Sequence, residues 1–212
     1  MKLSSDSIEN GRSISAEFAF CKIDPAKHAT LAGNNNPHLA WDDAPSATKS
    51  FALICHDVDV PSKADDVMKE DREIPSSLPR VDFFHWVLVD IPPTQRSIDA
   101  GSYSKAVKPR GKNGPAAPNN TRQGINGYTD WFANDHDMNG DYFGYDGPCP
   151  PWNDSIVHRY VFTLYALDID RVPVDGKFRG PDVLKAIEGH VIAKAQLTGT
   201  YTLNPRLALA TA

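Results

Sequence analysis

Four polar side chains sit on runs of sequence that are otherwise apolar. Asp57 falls in FALICHDV (51–58), His85 in FFHWVLVDI (83–91), and His158 and Tyr160 open HRYVFTLYALD (158–168). Short apolar runs of this kind read as strands, and successive side chains of a strand point to opposite faces. Asp57 then shares a face with Phe51, Leu53 and Cys55, and His85 with Phe83, Val87, Val89 and Ile91. His158 and Tyr160 lie with Phe162 and Leu164, while Arg159 points the other way. Each polar group lies near one end of its run. If the first strand is antiparallel to the other two, those ends meet. One carboxylate, two imidazoles and a phenol then converge on an apolar core. Imidazole N–H and phenol O–H groups donate to phosphate-like oxygens, and Asp57 can orient or charge a histidine. Asp57, His85 and His158 would equally suffice for general acid–base work. A hydrolase of a phosphorylated or acyl substrate is therefore the alternative to a binding site.

The stretch DGPCPPWNDSIVHRY (146–160) leads into His158 and Tyr160 from a loop stiffened by Pro148, Pro150 and Pro151. Proline fixes φ, so such a loop forms a wall at little ordering cost. A histidine near Cys149 would lower its pKa and make it reactive. A nucleophilic role needs a base within hydrogen-bond reach, and a passive small residue is the commoner outcome.

The elements that must position these groups are mostly strands. Seventeen prolines and fourteen glycines in 212 residues imply many turns and rigid loops. Besides the three apolar runs, ISAEFAF (14–20), HLAWDD (38–43) and KAQLTGTYTL (194–203) are weaker strand candidates. Widely spaced strands with Pro/Gly turns indicate one all-β antiparallel sandwich over 1–212, with long irregular loops. One helix is expected after Gly180-Pro181, with Asp182 in its first turn and Val183, Leu184, Ile187, Val191 and Ala195 at helical spacing. A second helical piece over 63–72 would be a solvated insertion.

Composition bounds the function further. A net charge of -5, with no basic block longer than KPRGK (108–112), argues against nucleic acid as the main partner. No apolar run suits a signal peptide or a membrane span, so a cytoplasmic protein is the expectation. Three cysteines (Cys21, Cys55, Cys149) cannot all pair and match no zinc template, and free thiols fit a reducing compartment.

Five motifs in order carry a resemblance: NPHLAWDDAP (36–45), HDVDVP (56–61), FFHWVLVDIP (83–92), GYDGPCPP (144–151) and HRYVFTLYALD (158–168). Together they resemble the phosphatidylethanolamine-binding protein family, also called Raf kinase inhibitor-like, in its bacterial branch. The resemblance implies a β-sandwich of antiparallel sheets with a C-terminal helix and a pocket for phosphate-like headgroups of the phosphoethanolamine type. It implies Asp57, His85, Gly147, Pro148, His158 and Tyr160 as pocket residues, with Asp59 in support. The family's usual Asp-Pro-Asp-Ala-Pro is Asp57-Val58-Asp59-Val60-Pro61 here. The segments 62–82 and 120–145 are long for the family and would reshape the rim. A kinase partner belongs to the eukaryotic members, and fold analogy alone is a weak warrant for one.

Two further signals lie in the second long segment. DHDMNGDYFGYD (135–146) spaces Asp135, Asp137, Asn139, Gly140, Asp141 and Asp146 as a calcium loop would. Neither flank reads as a helix and the twelfth residue is Asp, so a polar loop without metal is the commoner explanation. Trp131, Phe132, Tyr142, Phe143 and Tyr145 suit a loop packed on itself, an apolar rim, or a homodimer contact. No nucleophile elbow, phosphate-binding Walker loop or dinucleotide fingerprint occurs. The expectation is a non-enzymatic small-anion-binding protein with no cofactor, in a regulatory role.

Overall fold

A computed structural model describes residues 1–210; the last two residues of the expected 1–212 span lie outside the described residues. In chain order the strands begin with β1 (Lys2–Ser4), β2 (Cys21–Asp24), β3 (His28–Leu31), β4 (Leu39–Asp42), β5 (Ser50–Pro61) and β6 (Arg80–Ile91). Then come β7 (Ser97–Ile98), β8 (Gly111–Lys112), β9 (Arg122–Gln123), helix α1 (Tyr128–Trp131) and β10 (Asp141–Tyr142). The chain ends with β11 (His158–Leu167), α2 (Gly180–Ala186), β12 (Val191–Tyr201) and the C-terminal helix α3 (Pro205–Ala210).

The central sheet has the order β12-β11-β5-β6-β9, with every pair antiparallel. The three apolar runs are its three middle strands. Both faces are covered, which explains why those runs are apolar on both sides. One face, with Phe51, Leu53, Trp86, Phe162 and Leu164, packs on Leu39, Trp41 and Ile98 of the small sheet β1-β4-β7. The Trp41 and Phe51 rings meet edge-on, 5.6 Å apart, across this layer. The other face, with Ala52, Ile54, Val87 and Val89, is covered by Val172, Phe178, Val183 and Ile187 from α2 and the segment before it.

Several local expectations are corrected. The run 14–20 is not a strand: Ser15 Oγ accepts from the Glu17 N–H and starts a 3-10 turn over Ala16–Phe18. The helix after Gly180 ends at Ala186, not near 195. Gly189, at φ +81°, stops it in the left-handed region glycine favours, and Val191 already belongs to β12. The piece over 63–72 is a string of turns, not a helix. It is gathered by one buried side chain, Asn153. Its Nδ2 donates to the carbonyls of Asp66, Lys69 and Arg72, and its Oδ1 accepts from Met68 N–H.

The cysteines are also corrected. Cys21 and Cys149 form a disulfide and only Cys55, buried in the core, is a free thiol. The thiol argument for a reducing compartment therefore falls away. Among the described residues no helix is long and apolar enough to cross a membrane.

The bridge joins residues 128 apart in sequence. A cross-link closing so large a loop restricts the unfolded chain strongly, and loss of such a bridge costs about 2–5 kcal/mol. Urea unfolding in the presence of a dithiol should show a loss of that size. A curve unmoved by reductant, in a protein shown to carry no free thiol but Cys55, would contradict it.

Candidate functional site

The register of the central sheet decides what meets. Tyr160 of β11 lies directly opposite Asp57 of β5, and Asp57 lies opposite Phe83 of β6. β5 continues to Pro61 and β6 begins at Arg80, so Asp57 and His85 sit inside their strands and not at the ends. The β5–β6 register slips between Cys55 and His56. Through this irregularity His85 reaches the same side as Trp86 and Leu88, while Val87 and Val89 turn to the other face. Simple alternation had grouped His85 with Val87 and Val89.

Asp57, His85, His158 and Tyr160 together line a cavity of about 430 Å³. Its floor is polar, and its walls are Phe20, Phe83, Tyr128 and the Cys149-Pro150-Pro151 turn. Among the described residues no serine, threonine, lysine or arginine lines it.

The two histidines differ. His158 is fully buried and donates from both ring nitrogens: Nδ1–H to Asp57 Oδ2 at 2.8 Å and Nε2–H to Asp154 Oδ2 at 3.1 Å. Burial pulls its pKa down, but the hydrogen bonds it donates to Asp154 and Asp57, and their charges, outweigh this and raise it to about 9. His158 is thus an imidazolium whose donors are already used. Arg80 closes the chain with two bonds to Asp154, at 2.6 and 3.0 Å. His85 is neutral, because burial lowers its pKa more than nearby Asp57 and the Asp146 carbonyl raise it. Its Nδ1 lies 2.7 Å from the Asp146 carbonyl, which can only accept, so Nδ1 carries the proton. Nε2 is left with its lone pair and makes no hydrogen bond among the described residues.

The two tyrosines also differ. Tyr128 Oη donates to the Gly147 carbonyl at 2.8 Å. Tyr160 Oη is buried beside the Asp57 carboxylate, which holds its proton on, but the two are out of line for a hydrogen bond of good geometry and no other protein group among the described residues takes it. Burial pushes both phenols well above their ordinary pKa, so each is a donor at neutral pH.

The other expected residues have supporting places. Asp59 does not line the cavity; it accepts from the Arg159 backbone N–H and, through both oxygens, from its guanidinium at 2.8 Å. Arg159 does point away from the cavity, as alternation predicts, but it neutralises a buried carboxylate and is no inert neighbour. Gly147 and Pro148 stand behind the wall. Gly147 N–H donates to Asn34 Oδ1, and a Cβ at Gly147 would meet the Phe18 carbonyl at 2.0 Å. The Pro148 carbonyl accepts from Phe20 and Cys21 N–H. Cys149 is in the wall itself, but as a disulfide it is no nucleophile.

Residues that sequence reasoning missed are Asp154, Arg80 and Tyr128. Asp154 lies four residues before His158, a spacing that signals contact on a helix but not in an extended loop. The residues of the calcium-loop pattern lie apart and have other partners. Asp146 is buried under His85, where its carboxylate takes Asn34, Asn126 and Lys112. Asp135 accepts from the Asp137 and Met138 N–H groups, and Asp141 pairs with Lys177. Among the described residues no group of three His, Cys, Asp or Glu side chains is placed to hold a metal ion.

Fold and cavity together define a β-sandwich protein of the ligand-binding kind. The chain belongs to the phosphatidylethanolamine-binding protein family, whose model matches residues 4–202. A UPF0098 protein of Methanothermobacter thermautotrophicus is 35% identical over 179 residues, 84% of this chain and 89% of that protein. The UPF0098 protein YbhB of Escherichia coli is 32% identical over 169 residues, 80% and 82% of the two chains. The crystal structure of E. coli YbcL, titled a new member of the mammalian PEBP family, superposes with a TM-score of 0.64. It is 25% identical, and the match covers 95% of this chain and 97% of that one.

The charged chain gives stability a definite pH dependence. The folded pKa of His158 is raised from 6.5 to about 9. Its contribution is therefore complete below pH about 6.5 and is lost as pH rises through about 9. Urea unfolding across that window should show a fall of about 3 kcal/mol. Asp154→Asn should move the fall to lower pH. A stability that stays level from pH 6.5 to 9 would mean that His158 is not charged.

Proposed function

We propose that the cavity binds a small phosphate-like headgroup, of the phosphoethanolamine type, without turning it over. One observation carries the reading. The buried Tyr160 hydroxyl, beside the Asp57 carboxylate, makes no hydrogen bond of good geometry to the protein, and its ring stands edge-on to that of His85 with centroids 5.1 Å apart. A buried unsatisfied donor costs about 1–3 kcal/mol, which a ligand oxygen removes. The absence of any lining serine, threonine or free thiol, and the commitment of both His158 nitrogens, favour binding over a hydrolytic cycle. The family match supports a ligand-binding protein in general.

The geometry also bears on the ligand's protonation state. No lysine or arginine is at hand, and the floor's carboxylates are matched by His158 and Arg80. A neutral His85 offers an acceptor. The ligand must either bring a hydroxyl proton, as a monoprotonated phosphate does, or force His85 to take one up. His158, by contrast, lines the cavity with both its ring N–H groups already given to Asp57 and Asp154.

Methyl sulfate separates the two routes because it is a monoanion that does not titrate near neutrality. Its affinity should rise as pH falls, levelling off below the depressed pKa of free His85. Calorimetry in buffers of different ionisation enthalpy should show proton uptake. His85→Ala and Tyr160→Phe should each weaken phosphoethanolamine by about tenfold or more. Unchanged affinity in both variants, or steady release of inorganic phosphate from phosphoethanolamine, would overturn the reading.

A further inference from the structure

Seven large hydrophobic side chains are exposed among the described residues, and four of them gather at one place. Leu31, Met68 and Trp131 line the outer part of the cavity, and Val81 is the cross-strand partner of Val60, which lines it too. They come from four separate segments: β3, the turns of 62–79, α1 and β6. Single exposed apolar residues are ordinary, but four around one opening form a collar. Trp131 is 48% exposed and Leu31 53%, so these are not core residues with a visible edge.

The charge around the collar leans negative. Residues 62–79 carry three lysines or arginines against five carboxylates, and residues 128–141 carry four carboxylates with no lysine or arginine. Asp65 and Asp137 are exposed there. Arg72 pairs with Asp66 and Asp71, Lys177 with Asp141, Arg179 with Asp130 and Arg206 with Glu73. Asp65, Asp135 and Asp137 are therefore carboxylates without a lysine or arginine partner among the described residues, and this excess at an apolar opening selects an occupant by complementarity.

We propose that this collar is a docking surface for a basic, apolar protein segment. An aliphatic side chain of the partner enters the outer cavity between Met68 and Trp131. Flanking lysines or arginines of the partner lie against the exposed Asp65, Asp135 and Asp137. A membrane surface rich in anionic lipid has the apolar depth but the wrong charge. The surface goes beyond the headgroup reading, since it uses neither His85 nor Tyr160.

The test uses a short leucine-centred peptide flanked by lysines, free of tryptophan and tyrosine, and its glutamate-flanked counterpart. Each is titrated into the full chain while tryptophan emission is followed. Trp41 and Trp86 are buried and Trp152 is half-buried against His28, so the part of the emission shift that comes from the collar is the part lost in Trp131→Phe. The lysine peptide should bind saturably, more weakly as salt is raised. Trp131→Ala should weaken it about tenfold. The double reversal Asp65→Lys with Asp137→Lys, at two exposed positions, should weaken the lysine peptide and strengthen the glutamate one. The variant's urea curve checks that it is folded. Equal affinity for both peptides, no binding of the lysine peptide, or preferred capture by vesicles of phosphatidylcholine with phosphatidylglycerol would each overturn the proposal. Lysine-peptide binding that persists in His85→Ala separates this surface from the headgroup site, so either can fail alone.

Discussion

A protonated imidazole held between two carboxylates inside a sheet is the interaction on which the rest of the site depends. Asp57, His158, Asp154 and Arg80 form one continuous chain of charges, and Asp59 with Arg159 forms a second beside it. Counted together, three carboxylates face two arginines and one histidine. The set is neutral only when His158 carries its proton, which agrees with a pKa raised to about 9. Buried charges are tolerated when paired and hydrogen-bonded, and breaking such a chain leaves an uncompensated charge. The chain also has a geometric effect. It ties β5, β6 and β11 to the loop around Asp154, at the point where the register of β5 on β6 is irregular.

From this follows a division of labour among residues that look alike in sequence. His158 is spent on structure because both its nitrogens face carboxylates. His85 is available because only one of its nitrogens is tied, and tied to a carbonyl that forces the tautomer. The carbonyl belongs to Asp146, whose own carboxylate is fixed by Asn34, Asn126 and Lys112. A buried network of this kind rigidifies what it surrounds when every member is satisfied. The Gly147–Pro148 wall obeys the same logic. Its carbonyls and N–H groups go to Tyr128, Asn34, Phe20 and Cys21, so the turn at Cys149-Pro150-Pro151 is held from behind.

The three middle strands, their antiparallel order and the meeting of Asp57, His85, His158 and Tyr160 were legible in the sequence, because two-faced apolarity and strand alternation are local patterns. The extent of β5 and β6 and the phase of His85 were not. A β-bulge adds one residue to one strand and leaves no mark that alternation can read. The helix after Gly180 was overextended because Val191 and Ala195 continue its spacing by chance, while Gly189 already marked its end. The disulfide was invisible for a different reason. Cys21 and Cys149 are brought together by tertiary contacts, among them the hydrogen bonds that seat Phe20 and Cys21 on the Pro148 carbonyl. The carboxylate Asp154 escaped notice because its partner His158 lies four residues on in an extended segment, where spacing alone carries no contact information.

Floor and rim are built on different terms. Every charge on the floor is partnered within about 3 Å, at buried positions on paired strands. The rim comes from segments with little regular structure, and the turns of 62–79 are gathered mainly by the side chain of Asn153. That asparagine stands between Trp152, which stacks on His28 at 3.8 Å, and Asp154, which holds His158. Three consecutive residues therefore fasten the hairpin β2–β3, the outer turns and the charged floor to one another. A change at the rim that moved Asn153 would be felt at Asp154, because the peptide bonds between them leave little slack. The floor constrains the rim in turn: Arg80 bonds the Pro75 and Asp59 carbonyls as well as Asp154, so it clasps the end of the outer turns to the strand that carries Asp57. The polar chemistry at the bottom and the apolar opening above it are parts of one mechanical unit.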